Sequence, residues 1–289
     1  MAMKRTLVFL AFLAGAFTTD AQILWKVSGN GLKKPSYILG THHVASKDIC
    51  DNIAGFEKAY AAIEQVYGEV DSEEMNSPKT QLRMMPHMKM PKGQTLSSLY
   101  TEEQLKTLDD FLTQSMGAGI KAFDMFKPVV VSSMLQVMIA MKVYPEFDAT
   151  NGIDSAMQEM AKKDNKQTKG LESIDFQVEL LYNAPLEEQA ADLLEMAEKG
   201  KDTEKLILKL TELYRKQDLE GMMEIMLEDS EPEEMEKLVY SRNRNWIVQM
   251  KEIMPDTPTM FVVGAGHLPG DNGVLSLLKK EGYNVKPIW

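Results

Sequence analysis

The chain has 289 residues, 44% hydrophobic and 26% charged, which is ordinary globular composition and excludes a disordered or collagen-like chain. Acidic residues outnumber basic ones 43 to 32, a net charge of −11, which argues against nucleic acid as a partner. The one cysteine, Cys50, excludes an internal disulfide and a cysteine-built zinc site, and the four histidines make any imidazole cluster easy to enumerate.

Residues 1–21 read as a secretory signal peptide. Lys4 and Arg5 give a basic start, Thr6 to Phe17 is an almost unbroken apolar run, and Thr19-Asp20-Ala21 offers small residues for cleavage. The run is too short for the ~20 residues a bilayer span needs. Loss of Lys4, Arg5 and Asp20 leaves 30 basic and 42 acidic residues, a net charge of −12. No later apolar stretch approaches membrane-spanning length, so the mature chain, residues 22–289, is expected to be exported, periplasmic or secreted, and without a membrane span.

The mature chain opens and closes with strand signals and is helical between them. Ile23–Val27 and Ser36–Leu39 flank the turn cluster Ser28-Gly29-Asn30-Gly31 and read as a hairpin. Residues 49–63 have helical spacing (Ile53, Phe56, Ala59, Tyr60, Ile63) and feed a strand over Gln65–Val70, a β-α-β arrangement that favours a partly parallel sheet. Residues 72–95, rich in Pro, Ser, Lys and Met, read as an irregular connection. Thr101 followed by Glu102 and Glu103 opens a helix, and residues 124–142 form a Met-rich apolar helix expected to be buried. Asp154 is expected to cap a helix running to about Lys163, followed by a strand over Gln167–Leu171. Residues 186–254 are helical in period, with breaks expected at Gly200, Gly221 and Pro232. A strand at Thr259–Val263, a helix at Gly273–Lys280 closed by Gly282, and a strand at Tyr283–Ile288 end the chain. The fold class is α/β: a mixed, partly parallel sheet with a long helical middle over roughly residues 96–254.

Two segments share one plan. Tyr37-Ile38-Leu39-Gly40-Thr41-His42-His43-Val44 and Phe261-Val262-Val263-Gly264-Ala265-Gly266-His267-Leu268 are each an apolar strand followed by Gly-x-x-His. Ligands of α/β sheets bind beyond the carboxyl ends of the strands, so His43 and His267 would meet if their strands are neighbours. Glu69 and Asp71 end the third strand, and Glu172 ends the strand at Gln167–Leu171. Two imidazoles with one or two carboxylates suit a divalent metal with an open position, where water can become a nucleophile and a free carboxylate can take its proton. Read singly, each of these residues is equally a cap or a turn partner.

The segment Gly40-Thr41-His42-His43 resembles the first signature of the TraB/GumN family, which includes PrgY pheromone-shutdown proteins and the Tiki metalloproteases. Gly264-Ala265-Gly266-His267-Leu268-Pro269-Gly270, with Gly273-Val274-Leu275, Leu277-Leu278 and Gly282-Tyr283, resembles the last. Glu69-Val70-Asp71, Gly170-Leu171-Glu172-Ser173 with Gln177, and Arg242-Asn243 with Trp246 fall between them in the family's order. The resemblance spans essentially the whole mature chain. It implies a metal-dependent, peptidase-like hydrolase of a peptide or protein substrate, with His43, Glu69 and His267 holding Mn, Co or Zn. Under it, Glu172 is a further ligand or the general base, Asp71 assists, and Arg242 and Asn243 are candidates for substrate carboxylate or oxyanion contacts. His42 fills a variable position and would face opposite His43 on an extended strand. Two rivals remain: a non-catalytic protein that sequesters a peptide, glycan or haem-like ligand in the same crevice, and a metal-free esterase-like hydrolase with histidine as base.

Other signals carry less. Gly264-x-Gly266 with Gly270 misses the dinucleotide fingerprint by one residue, and neither a His-Glu-x-x-His helix nor a Gly-x-Ser-x-Gly elbow is present. Residues 84–90, with four methionines and His87, have donors that suit Cu(I), yet methionine is frequent along the whole chain and a lid or groove is the simpler reading. The acidic run from Glu228 to Glu236 lacks the oxygen spacing of a calcium loop and reads as a solvated helix start.

Overall fold

The structure, a computed structural model, describes residues 22–42, 45, 52–144 and 152–289. The segment read as a signal peptide, residues 1–21, together with His43 and Cys50, lies outside the described residues.

The strands are β1 (Leu24–Ser28), β2 (Ser36–Thr41), β3 (Gln65–Gly68), β4 (Gln167–Gly170), β5 (Thr259–Gly264) and β6 (Asn284–Pro287). They form one sheet in the order β4-β3-β5-β2-β1-β6. The neighbours from β4 to β2 pair in parallel, while β1 runs antiparallel to both β2 and β6. The expected hairpin is present with Leu24 opposite Leu39 and Val27 opposite Ser36, and the sheet is mixed and partly parallel as the sequence suggests. Continuous burial along β2, and along β5 up to Gly264, fits strands covered on both faces, while the polar β4 takes the edge.

The helices are α1 (Phe56–Ala61), α2 (Ser72–Asn76), α3 (Pro78–Met88), α4 (Glu102–Met116), α5 (Pro128–Val143), α6 (Ile153–Lys163) and α7 (Ile174–Tyr182). They continue as α8 (Leu186–Lys199), α9 (Lys201–Arg215), α10 (Leu219–Asp229), α11 (Pro232–Met235), α12 (Ser241–Ile253) and α13 (Val274–Lys280). A π-helical turn at Glu236–Tyr240 leads directly into α12. The main core joins the sheet to α6, α9, α12 and α13 through Phe261, Val262, Met157, Tyr214, Trp246 and Leu278, all fully buried. Each such side chain contributes roughly 1.5–3 kcal/mol by leaving water. The helical middle builds an apolar cluster of its own from Leu108, Leu112, Val131, Leu135 and Leu193 on α4, α5 and α8. Among the described residues no helix is long and apolar enough to cross a membrane.

Several local expectations are corrected. Residues 72–88 are helical: Asp71 caps α2, Ser77 caps α3, and Pro78 sits in the first turn of α3, where its missing N–H costs nothing. Helix α6 has Gly152 at its cap position, and Asp154 in the first turn accepts from the Thr41 hydroxyl at 2.7 Å. Gly221 lies inside α10. The break comes earlier, at Gln217, which adopts φ 59°, and Asp218 caps the new helix on the Gly221 amide. Helix α5 starts at Pro128 and leaves Val137, Met138 and Met141 exposed, so it is buried on part of its circumference only.

Candidate active site at the parallel strand ends

Strand register brings the candidate residues together. Thr41 lies opposite Gly264 and Gly68 opposite Gly170, so β2, β5, β3 and β4 all end at one edge of the sheet. The third strand ends at Gly68, before Glu69 rather than after it, and the Glu69 carboxylate meets the Gly264 amide beyond the end of β5. The turns beyond β3 and β4 are tied to each other: the Glu172 amide donates to the Glu69 carbonyl at 2.8 Å and Leu171 N to Gly68 O at 3.0 Å. From outside, Gln158 on α6 clamps Val70 and Ser72, and Gln249 on α12 donates to Leu171 O at 2.8 Å.

Arg242 is the centre of the site. It sits on the inward face of α12 with Asn243, Trp246, Ile247 and Met250, all buried. Its Nε donates to Glu172 Oε1 at 2.8 Å, and Nη2 donates to Glu172 Oε2 at 2.8 Å and to Glu69 Oε2 at 2.6 Å. Nη1 donates to Leu238 O at 3.0 Å, a carbonyl of the preceding π turn, and to His267 Nε2 at 3.2 Å. All five guanidinium N–H groups are therefore engaged within the protein. Burial alone would lower the Arg242 pKa, but the hydrogen bonds and charges of Glu172 and Glu69 outweigh it and hold the pKa above its ordinary value.

Glu172 accepts two further bonds, from Trp246 Nε1 at 2.9 Å and Gln177 Nε2 at 3.1 Å, which engages about all four lone-pair positions of a carboxylate. Glu69 accepts from the Gly264 amide at 2.8 Å and from Gln177 at 3.3 Å. Gly264 leaves room for this approach: a Cβ there would stand 3.2 Å from Glu69 Oε1 and 3.4 Å from His267 Cδ2, a tight fit that would press on the carboxylate.

His267 has a defined tautomer. The Asn243 amide nitrogen donates to His267 O at 3.1 Å and Asn272 O at 2.9 Å, so its Oδ1 is the acceptor facing His267 Nδ1 at 2.7 Å. Nδ1 carries the proton, and Nε2, which accepts from arginine, presents a lone pair. The Trp246 ring packs beside the imidazole at 4.4 Å between centroids.

The structure thus gathers Glu69, Glu172, Arg242, Asn243 and His267. Asp71 is turned to structural use, its Oδ1 accepting from the amides of Glu73 and Glu74 at the start of α2. His42 Nε2 lies 3.2 Å from the Thr211 hydroxyl on α9. As substrate contacts, Arg242 and Asn243 offer no uncommitted donor in this arrangement. Gln177 and Trp246 are members of the site that the sequence marks only as parts of the family-like signatures, without a role; the structure gives each one as a donor to Glu172. A surface cleft of about 400 Å³ lined by residues 89–95, Asp124 and Met125 shares no residue with the site.

The donor types suit a divalent cation: a carboxylate, and a neutral imidazole whose far nitrogen is fixed by a carbonyl oxygen, the usual support of a metal-bound histidine. Among the described residues, however, no three His, Cys, Asp or Glu side chains are grouped to hold a metal ion. Glu69 and His267 converge on the Arg242 guanidinium, and His43, the further donor proposed from the sequence, lies outside the described residues.

Fold and site define an α/β protein with a buried carboxylate–arginine–histidine cluster at the carboxyl ends of parallel strands. The sequence model of the TraB/PrgY/gumN family matches residues 23–287, and the chain belongs to that family. Curated relatives include zebrafish Metalloprotease TIKI2, 23% identical over 91% of this chain and 60% of its own length, and zebrafish Metalloprotease TIKI1, 24% identical over 91% and 62%. Human Metalloprotease TIKI1 matches at 40% identity over 53 residues, 17% of this chain and 10% of its own. The chain spans about three fifths of the length of the two zebrafish relatives. No solved structure matches.

Proposed function

We propose that this chain is an exported, metal-dependent hydrolase of peptide or protein substrates, with the crevice beyond β2, β5 and β3 as its active site. The observation that carries the reading is His267. It is held neutral, with Nδ1–H bound to Asn243 and its Nε2 lone pair turned toward the cluster that contains Glu69. Names of the relatives supply the reaction class, and the donor types supply the metal. His43, Glu69 and His267 would hold a divalent ion such as Mn, Co or Zn. When bound, the ion supplies Lewis acidity that polarises a peptide carbonyl and acidifies water.

The chain's own residues prepare the site. Asn243 fixes the imidazole tautomer and orientation, with Trp246 packed against the ring. Glu172 holds Arg242 through two parallel bonds, and Gln177 bridges Glu172 and Glu69 so that both carboxylates keep their places. Glu172, with four donors, serves as the anchor.

One observation favours a second reading, capture of a peptide without turnover: Arg242 and Asn243 have no donor left for a developing oxyanion. The experiment that separates the readings is metal content together with peptide cleavage. The chain from residue 22, as wild type and His267→Ala, is stripped, reloaded with Mn²⁺, Co²⁺ or Zn²⁺, and given a mixed peptide library. Stoichiometric metal with cleavage, both lost in His267→Ala, is the expected result. Metal with peptide retention and no cleavage would replace hydrolysis by capture, and no metal in the wild type would remove the metal from the reading.

A further inference from the structure

The fold is held from its first described residue. Gln22 is 7% exposed, and the residues that follow it, Ile23 and Leu24, are fully buried. The Trp25 indole donates to Gln22 O at 2.8 Å, and the Ile23 amide donates to Gln217 Oε1 at 3.3 Å, on the left-handed residue just before α10. Ile23 O in turn accepts from the Gly40 amide at 2.8 Å, so the start of β1 is tied to the glycine of the first Gly-x-x-His segment. Gln22 itself has two unusual features. Its amide oxygen is the one buried side-chain nitrogen or oxygen among the described residues with no hydrogen-bond partner. It also follows directly on Thr19-Asp20-Ala21, the small residues at which a signal peptide would be cut.

We propose that Gln22 is the amino-terminal residue of the mature chain and that it closes on itself to pyroglutamate. This rests on the export reading above, with cleavage after Ala21. Cleavage would leave an α-ammonium group on a residue whose side chain and successors are buried. Such a group has an ordinary pKa of about 8, so it is charged at neutral pH, and a charge brought against a core without a partner is costly. Glutamine can remove that charge by itself. The unprotonated α-nitrogen attacks the side-chain Cδ of the same residue. The N–Cδ bond forms, the Cδ–Nε2 bond breaks, and Nε2 leaves as ammonia with the proton given up by the attacking nitrogen. No oxidant, metal or second substrate takes part. Both reacting atoms belong to one residue, so the reaction needs no folded structure and can run on the exported chain before Gln22 is packed away. The product is a neutral lactam. It keeps the Gln22 carbonyl for Trp25, and closure breaks no hydrogen bond of the side-chain oxygen, which has none. The core then begins at an uncharged ring rather than at a cation.

The test is made on the full chain, residues 1–289 with an affinity tag after Trp289, produced in its native host and purified from whole cells. Intact mass is read first. Free amines are then dimethylated, and the amino-terminal peptide is sequenced by tandem mass spectrometry. Sequencing is needed because Asn30-Gly31 and Asn272-Gly273 can also shed ammonia. Gln22→Asn is the control, since it keeps the amide but is one carbon too short to close a five-membered ring. The expected result is a chain that begins at residue 22 and is lighter by one ammonia, with the loss at Gln22 and no label on its α-nitrogen. Gln22→Asn should keep its ammonia and take the label. A wild-type chain that begins at Gln22 with a labelled α-nitrogen overturns the ring and leaves the export reading standing. An unlabelled Gln22→Asn also overturns it, because a different blocking group would then be present. A start at Met1 defeats the export reading together with the ring, and a start at any other residue defeats the ring alone.

Discussion

Removing the carboxylate of Glu172 should be among the most damaging single changes in this chain. Glu172→Ala strips Arg242 of two bonds, Trp246 of its indole partner and Gln177 of one acceptor. The ion pair is buried, with side-chain exposures of 9% for Arg242 and 5% for Glu172. Breaking one partner of such a pair costs about 3–5 kcal/mol because the other charge stays buried without full compensation. Glu69 remains beside Arg242 and keeps part of that charge paired, so the lower end, about 3 kcal/mol, is expected. In a chain of this size that corresponds to a fall in Tm on the order of 10 °C. Glu172→Gln separates charge from shape, since its amide fills the same space but presents N–H to other donors; a loss of about 2 kcal/mol is expected. The arginine adds a pH signature. Its pKa is raised in the folded protein, so its contribution is fully present below the ordinary arginine value and is lost only as pH rises through the raised value. The arginine's part of the difference between wild type and Glu172→Ala should then be flat from pH 6 to 9. Urea unfolding followed by circular dichroism at 222 nm at several pH values measures both. A loss below about 1 kcal/mol for Glu172→Ala, or a Glu172→Gln variant as stable as wild type, would refute the view that Glu172 anchors Arg242.

Asn243→Ala removes the acceptor of His267 Nδ1–H, while Arg242 still donates to Nε2, and leaves two carbonyls without their donor; a stability loss of about 1–3 kcal/mol is expected, with the ¹⁵N shift of His267 Nδ1 moving as its hydrogen bond is lost. An unchanged Nδ1 shift in that variant would show that Asn243 is not its acceptor. On α8, Asp192 has a pKa raised by burial and by the negative charges of Glu195 and Glu188. Its ionised form is disfavoured in the folded state, so the penalty is present above its raised folded value and disappears below the unfolded value; Asp192→Asn should raise Tm by about a degree at pH 7 and by nothing near pH 3, a small effect because the residue faces solvent. Thermal melts at the two pH values check it, and equal gains at both would contradict the assignment.

Much of the fold is legible in residue patterns because those patterns report burial. Ile38-Leu39 and Phe261-Val262-Val263 are unbroken apolar runs closed by glycine, the mark of strands covered on both faces, and they are neighbours in the sheet. The stretch 72–88 misleads because Pro78, which suggests a loop, is equally at home in a first helical turn, and because the decisive caps, Asp71 and Ser77, are small polar residues common in loops. The break before α10 is hidden for a different reason. Gln217 takes a left-handed conformation that its side chain does not favour, so nothing in its type announces the turn, whereas Gly221, which suggests one, is held in the helix by the Asp218 cap.

The site divides in the same way. Strand ends can be read, so Glu69, Glu172 and His267 can each be placed at a strand end from sequence, while their meeting depends on the strand order that the structure supplies. What the pattern does not contain is the direction in which each lone pair points. That depends on the π turn at Glu236–Tyr240, which sets the Leu238 carbonyl beneath Arg242, and on the face of α12 that turns the guanidinium between the two strand ends. It follows that the charges are unequal. Two carboxylates meet one guanidinium and a neutral imidazole, which leaves about one negative charge in excess within a largely buried cluster. An excess of that sign is costly to keep away from water unless a further positive group shares the space. Among the described residues, that excess is what a divalent cation, or a cationic group of a substrate, would offset by entering the cluster.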